Sequence, residues 1–95
     1  MALDFEWDDA KAEQNLAKHR VSFEKAISVF ADAEVVLLDA TRETDAEVRL
    51  KAIGLIEGRL FTVVFTRRGS VRRIISARRA NPKEERSYGN RSPHA

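Results

Sequence analysis

Three alternating stretches joined by two glycine turns constrain this chain more than anything else in it. Val48, Leu50 and Ala52 alternate with Arg49 and Lys51, the two-residue period of a half-buried strand. Glu57-Gly58 then turns the chain into the apolar stretch Leu60–Thr66, and Arg68-Gly69 turns it again into Val71–Ser76. Turns this short can join only antiparallel neighbours, so the pattern predicts a meander with one face free to pack on helices. Val35–Leu38 reads as a further, buried strand, separated from the meander by a polar loop from Asp39 to Ala46.

The first third supplies helices. Asp8 is a natural N-cap, and the helix it starts is expected to run to about Lys18, where Lys-His-Arg suits a carbonyl-rich end. Ser22 is a second N-cap. Phe23, Ala26, Ile27 and Phe30 follow at i, i+3, i+4 and i+7, a helical core stripe. Phe5, Glu6 and Trp7 alternate as a short strand or an extended lead-in. Asn81 caps a last helix, with Pro82 at its first position and Glu84 completing a capping box. The expected fold is α+β: N-terminal helices packed on a four-stranded antiparallel sheet, then a C-terminal helix.

At 95 residues the chain makes one domain, with residues 90–95 expected as a disordered tail. It has no cysteine, which removes disulfides, thiolate nucleophiles and Cys-based zinc sites and favours a reducing cytoplasm. Two histidines, His19 and His94, cannot fill a three-histidine metal site, and no glycine-rich phosphate loop occurs. Neither metal nor cofactor is therefore expected. The acidic start, Met-Ala-Leu-Asp-Phe-Glu-Trp-Asp-Asp, is unlike a secretory leader, and no apolar run approaches the roughly 20 residues of a membrane span.

The net charge of +2 conceals two opposite fields. Up to Thr66, 8 Lys+Arg stand against 13 Asp+Glu; from Arg67 onward 9 stand against 2. No acid occurs from Arg59 to Lys83. A basic stretch of uniform sign points to a polyanion, so Arg67, Arg68, Arg72, Arg73 and Lys83 are candidate phosphate-binding residues. Arg78 and Arg79 close an apolar strand just before a helix. Each either grips phosphate with its bidentate fork or pairs with Glu84, Glu85 or a neighbouring strand. Successive strand residues face opposite ways, so only one of the two easily faces any given site. His19 is either a general acid or base or a helix-end histidine bonded to carbonyls. Tyr88 is either a base-stacking ring or a packing one.

Together these segments resemble a known family. Phe5-Glu6-Trp7-Asp8, Asn15, Lys18-His19, Val21-Ser22-Phe23-Glu24-Lys25-Ala26 and Val29-Phe30 resemble the first half of BrnT toxins. Glu47-x-Arg49, Ile53-Gly54, Val63-Val64-Phe65-Thr66, Arg73-Ile74-Ile75-Ser76-Ala77-Arg78-Arg79-Ala80 and Glu84-Glu85-Arg86 with Tyr88 resemble the second half. The resemblance runs from about residue 4 to 89. It implies a RelE-like fold and a type II toxin that cuts RNA, arrests growth and is silenced by a BrnA-like, DNA-binding antitoxin. It also implies a hetero-tetramer with that antitoxin, action on free or ribosome-associated RNA, and no membrane. The family's usual Lys-His-Gly-Val is Lys18-His19-Arg20-Val21 here. Glycine commonly closes a helix in a left-handed conformation that arginine adopts at a cost.

RNA carries its own nucleophile, the 2′-hydroxyl. A metal-free nuclease then needs a base, an acid and cations around the phosphorus, and the cations are often the largest contribution. Arg49, Arg67, Arg78 and Arg79 are the expected phosphate clamp, with His19, Lys18 or Tyr88 handling protons. Two other readings use the same basic face: a non-catalytic nucleic-acid-binding module, and a module that binds an acidic protein.

Overall fold

A computed structural model describes residues 4–90. Helix α1 spans Asp9–His19, and the Asp8 carboxylate accepts the Lys11 amide at 3.1 Å. It ends on Arg20, whose φ of 61° is left-handed and whose N–H returns to the Leu16 carbonyl at 2.9 Å. Helix α2 spans Phe23–Ala26, with the Ser22 hydroxyl accepting the Lys25 amide at 3.0 Å. It then tightens into a 3-10 segment, Ile27–Ala31. The tightening changes which side chains go inside. Phe23, Ala26 and Val29, three apart, are fully buried, while Ile27 and Phe30 are only half-buried.

Five strands form one sheet in the order β1-β5-β4-β3-β2. Their spans are β1 Asp4–Glu6, β2 Val36–Asp39, β3 Leu50–Ile56, β4 Arg59–Arg68 and β5 Val71–Arg79. β2 through β5 pair antiparallel, as the turns require. The expected four-stranded antiparallel sheet needs one correction: β1 lies parallel to β5, pairing Asp4 with Val71 and Glu6 with Arg73. The sheet is therefore mixed. The alternation at Phe5-Glu6-Trp7 does mark a short strand, Asp4–Glu6, but its pairing with a partner most of the chain away leaves no local signal. β3 also begins later than the alternation suggests, and Val48 stays outside it, 64% exposed. Helix α3 spans Pro82–Asn90. Of the expected tail, all but Asn90, together with His94, lies outside the described residues.

Register assigns the two faces of the sheet. Ala52, Val63 and Ala77 stand abreast, as do Gly54, Phe61 and Arg79, on the face that takes α1, α2 and the 3-10 segment. Lys51, Thr62, Val64, Ser76 and Arg78 belong to the other face, against which α3 lies. Val64 pairs with Ser76 but Phe65 pairs with Ile74, so Ile75 is an extra residue, a β-bulge. The bulge lets Ile74 and Ala77, three apart, both enter the core. Phe30 stacks edge-on against Phe65 at 5.1 Å, and Trp7 against Phe23 at 5.8 Å. Gly54 permits the close approach of the 3-10 segment, since a Cβ there would lie 2.9 Å from the Val29 carbonyl oxygen.

β1 covers only the first third of β5, which leaves the rest of that edge to a side chain. Asn15, buried on α1, accepts the Ala77 N–H at 3.1 Å and donates to the Ala77 carbonyl at 2.9 Å. The same amide nitrogen donates to the Val21 carbonyl at 3.1 Å. One carboxamide thus stands in for a strand and fastens the end of α1 to the sheet. Asn15→Ala leaves buried backbone groups without partners and is expected to cost about 3 kcal/mol of unfolding free energy. Urea denaturation measures this directly; a loss below about 0.5 kcal/mol would mean that water replaces the amide.

Candidate nucleic-acid interface

The two arginines that end β5 have opposite fates. Arg78 faces α3 and meets Glu84 with both prongs, Nη1 to Oε1 at 2.7 Å and Nη2 to Oε2 at 2.8 Å. Glu84 is 1% exposed. It also accepts Lys51 Nζ at 3.0 Å, the Thr62 hydroxyl at 2.8 Å and the Asn81 amide at 3.0 Å. Asn81 Oδ1 accepts the Glu84 amide in return at 2.8 Å, closing the capping box. Burial alone would push the Glu84 carboxyl up. Arg78, the Asn81 amide, Lys51 and Thr62 overcome that and hold it well below the usual carboxylate range. The Glu84 hydrogen bond in turn raises Arg78, so this guanidinium is a structural brace.

The arginines of the basic C-terminal strip do not share one face. Arg73 pairs with Glu6 at 3.0 Å, and Arg68 reaches Glu47 at 3.5 Å and Glu6 at 3.9 Å. Arg49 and Arg42 both reach Asp45, at 3.4 and 3.0 Å, and the Arg42 hydrogen bond holds Asp45 below its ordinary range. Arg72 lies on the helix side over the Phe30 ring, 5.5 Å from its centre. Arg67 is abreast of Arg72, whereas Arg68 and Arg73 belong to the opposite side. Alternation divides the strip between two faces, and acids from the first half neutralise part of it. Arg67 and Lys83 are exposed with no ion pair among the described residues. Tyr88 is a strut: its hydroxyl donates to Asp32 Oδ2 at 2.7 Å, and Asp32 also accepts the Leu55 and Glu34 amides, each at 2.8 Å.

Arg79 faces the other way, into a cleft of about 410 Å³. His19 and Arg20 come to it from the end of α1, Lys25 from α2, and Glu57 and Arg59 from the β3–β4 turn. Phe61 forms its floor, with Lys25 Nζ and Arg79 Cζ each 5.8 Å from the ring centre. Lys25 also touches the exposed Glu57 carboxylate at 3.4 Å, while Arg20, Arg59 and Arg79 have no ion pair among the described residues. His19 lines a second depression as well, with Lys11, Lys18, Ile75 and Ser76. Ile75 and Ser76 open in turn on a third, bordered by Arg42 and Arg49. The shared residues join the three into one track that rounds the β5 edge. Glu57 is the one carboxylate lining it among these residues.

The track therefore gathers His19, Lys18, Arg79 and Arg49 and leaves Arg78, Tyr88, Arg67, Arg68, Arg72, Arg73 and Lys83 off its walls. It adds Arg20, Lys25, Arg59 and Lys11, which are not among the candidate site residues read from the sequence because all four sit in its acid-rich part up to Thr66. The signal that could find Lys25 and Arg59 is the Phe61 floor, whose ring is buried between charged neighbours. Among the described residues no group of three or more His, Cys, Asp or Glu could hold a metal ion. No described helix is long and apolar enough to cross a membrane.

A family model described as ribonuclease toxin, BrnT, of type II toxin-antitoxin system matches residues 7–84. No curated protein matches the chain.

Glu84 yields a pH-dependent prediction. Its folded-state pKa lies below the unfolded one, so the stability it lends is complete above the ordinary carboxylate range and is lost as pH falls through and below it. Glu84→Gln is expected to cost about 3 kcal/mol at pH 7, because Arg78 and Lys51 lose their counter-charge. Urea melts should show the gap between wild type and variant narrowing from about pH 5 to pH 2. A gap constant across that window would show that shape, not charge, is what Glu84 supplies.

Proposed function

The chain belongs to the BrnT family of ribonuclease toxins of type II toxin-antitoxin systems, and on that premise we propose that it cuts RNA without a metal along the track around β5. The observation that carries this reading is the position of His19, which borders both the Phe61 cleft and the depression beside Ser76. A single strand following the track passes cations on either side of an imidazole, a side chain able to act as general acid or base. A divalent cation asks for several oxygen ligands. The single lining carboxylate, Glu57, is instead engaged with Lys25.

In this mechanism the 2′-hydroxyl oxygen attacks the adjacent phosphorus, and the bond to the 5′-oxygen breaks. One proton leaves the 2′-hydroxyl and one reaches the departing 5′-oxygen; His19 carries one of these transfers and Lys18, beside it, the other. Arg79, Arg59 and Lys25 stabilise the negative charge that builds on the phosphoryl oxygens. Arg79 and Lys25 suit that task because they lean on one aromatic ring and are already in position before RNA arrives. Arg49 lies further along and holds a more distant phosphate. Arg78 acts through the fold, fixing the strand from which Arg79 projects. On the RelE-like scaffold this amounts to an endoribonuclease whose activity arrests growth. A BrnA-like antitoxin silences it by laying acidic side chains on the same cations, in a two-plus-two complex.

The test is cleavage of single-stranded RNA in excess EDTA. The expected products end in a 2′,3′-cyclic phosphate and a free 5′-hydroxyl, and a 2′-O-methyl strand is bound but left whole. His19→Ala is expected to lower kcat by roughly 10²–10⁴-fold with an unchanged melting temperature. Full activity in that variant would remove His19 from the chemistry, and loss of cleavage in EDTA would refute the metal-free route. Binding without any cleavage would leave a nucleic-acid-binding module.

A further inference from the structure

Two non-glycine residues among those described have positive φ, Arg20 at 61° and Glu57 at 53°. Both line the Phe61 cleft. Glu57 has a local reason, since with Gly58 at φ 82° it makes the tight β3–β4 hairpin turn. Arg20 has none. It closes α1 in a conformation that glycine adopts freely, and its N–H makes the same 2.9 Å bond to Leu16 that a glycine would make. Its side chain forms no hydrogen bond or ion pair among the described residues, so no contact within the fold compensates for the strained backbone. Backbone strain of this kind persists at sites of function, where the side chain it positions does something a relaxed residue cannot.

We propose that Arg20 is a phosphate-binding residue of the RNA track, kept at a strained helix end at the expense of stability. This rests on the track being the RNA site, and it adds a residue to it. The position suits the task. Arg20 directly follows His19, and the left-handed turn directs the chain from α1 into Val21, which is buried in the core below the cleft. The same cleft is lined by Arg59 and Arg79, likewise without carboxylate partners among the described residues. Three unpaired guanidinium groups around one opening repel each other when it is empty. A phosphate relieves that repulsion and takes a bidentate fork from any of them. Lys25, by contrast, already shares its charge with Glu57.

The strain and the charge separate experimentally in the intact chain. Binding is measured against a 2′-O-methyl RNA oligonucleotide over a range of salt, and melting temperature on the same samples. Arg20→Gly is expected to melt roughly 4 °C higher and to bind about tenfold more weakly at moderate salt. Its log–log salt slope should be shallower by about 0.7, the loss of one single-strand phosphate contact. Arg20→Ala is expected to share the weaker binding without the gain in melting temperature. Arg20→Lys should keep the wild-type slope. If Arg20→Gly and Arg20→Ala bind with the wild-type slope, Arg20 touches no phosphate and the proposal fails while the track stands. If Arg20→Gly melts no higher, the strain is not real and the proposal fails on that side. A wild-type chain whose binding ignores salt would refute the track itself, and Arg20 with it.

Discussion

One buried carboxylate organises this molecule. Glu84 holds Lys51 of β3, Thr62 of β4, Arg78 of β5 and the Asn81 amide at the start of α3. Four elements are thus joined by one side chain that is almost wholly out of water. A carboxylate so placed is tolerable only when several donors surround it, and removing any one of them leaves charge stranded. The network therefore accepts one arrangement of α3 over the sheet and no sliding. It also fixes the last residues of β5. With Arg78 held on the α3 side, Arg79 must project from the helix side, and the cleft wall is set before any ligand arrives.

The same electrostatics explains why the basic tail is less basic than its composition. Glu6, Glu47 and Asp45 come from the acid-rich part of the chain and settle on Arg73, Arg68, Arg49 and Arg42. Where such pairs are exposed they add little stability, but exposed or half-buried they redistribute the field. Among the described residues the unpaired cations include Arg20, Arg59 and Arg79 around Phe61 and Lys11 and Lys18 on α1, and all of these but Arg79 come from the segment up to Thr66, whose net charge is negative. The surface potential of this protein is a product of folding, since neither half of the chain has it alone.

What could be read from the amino-acid order is what local physics decides. The turns Glu57-Gly58 and Arg68-Gly69, the caps Asp8, Ser22 and Asn81, and the capping box at Glu84 all involve neighbours a few residues apart, and all form as expected. What could not be read is non-local. β1 pairs with β5 across 67 positions of sequence, and Asn15 meets Ala77 across 62. The close seat of the 3-10 segment after Ala26 depends on Gly54 admitting Val29, a contact between that segment and a distant strand. Of the candidate site residues, His19, Lys18 and Arg79 were visible because each sits beside a recognisable element end. Lys25 and Arg59 were hidden because each belongs locally to a helix or a turn, and Arg20 read only as a costly helix end, until the fold brings them round one ring.

The extra residue at Ile75 acts as the key that sets the phase of β5. Below it, the strand points Arg72 and Ile74 towards the helices; above it, Ala77 and Arg79. A regular strand cannot satisfy both halves, because residues three apart would then face opposite ways. Straightening the strand with Ile75 kept in the ladder would force a choice. Either Ile74 leaves the core, or Ala77 and Arg79 turn out of it and Arg78 is carried away from Glu84. Deleting Ile75 forces no such choice, since Ile74 and Ala77 would then lie two apart and face the same way. What the bulge keeps is arithmetic parity, and the side chain of Ile75 has no part in it.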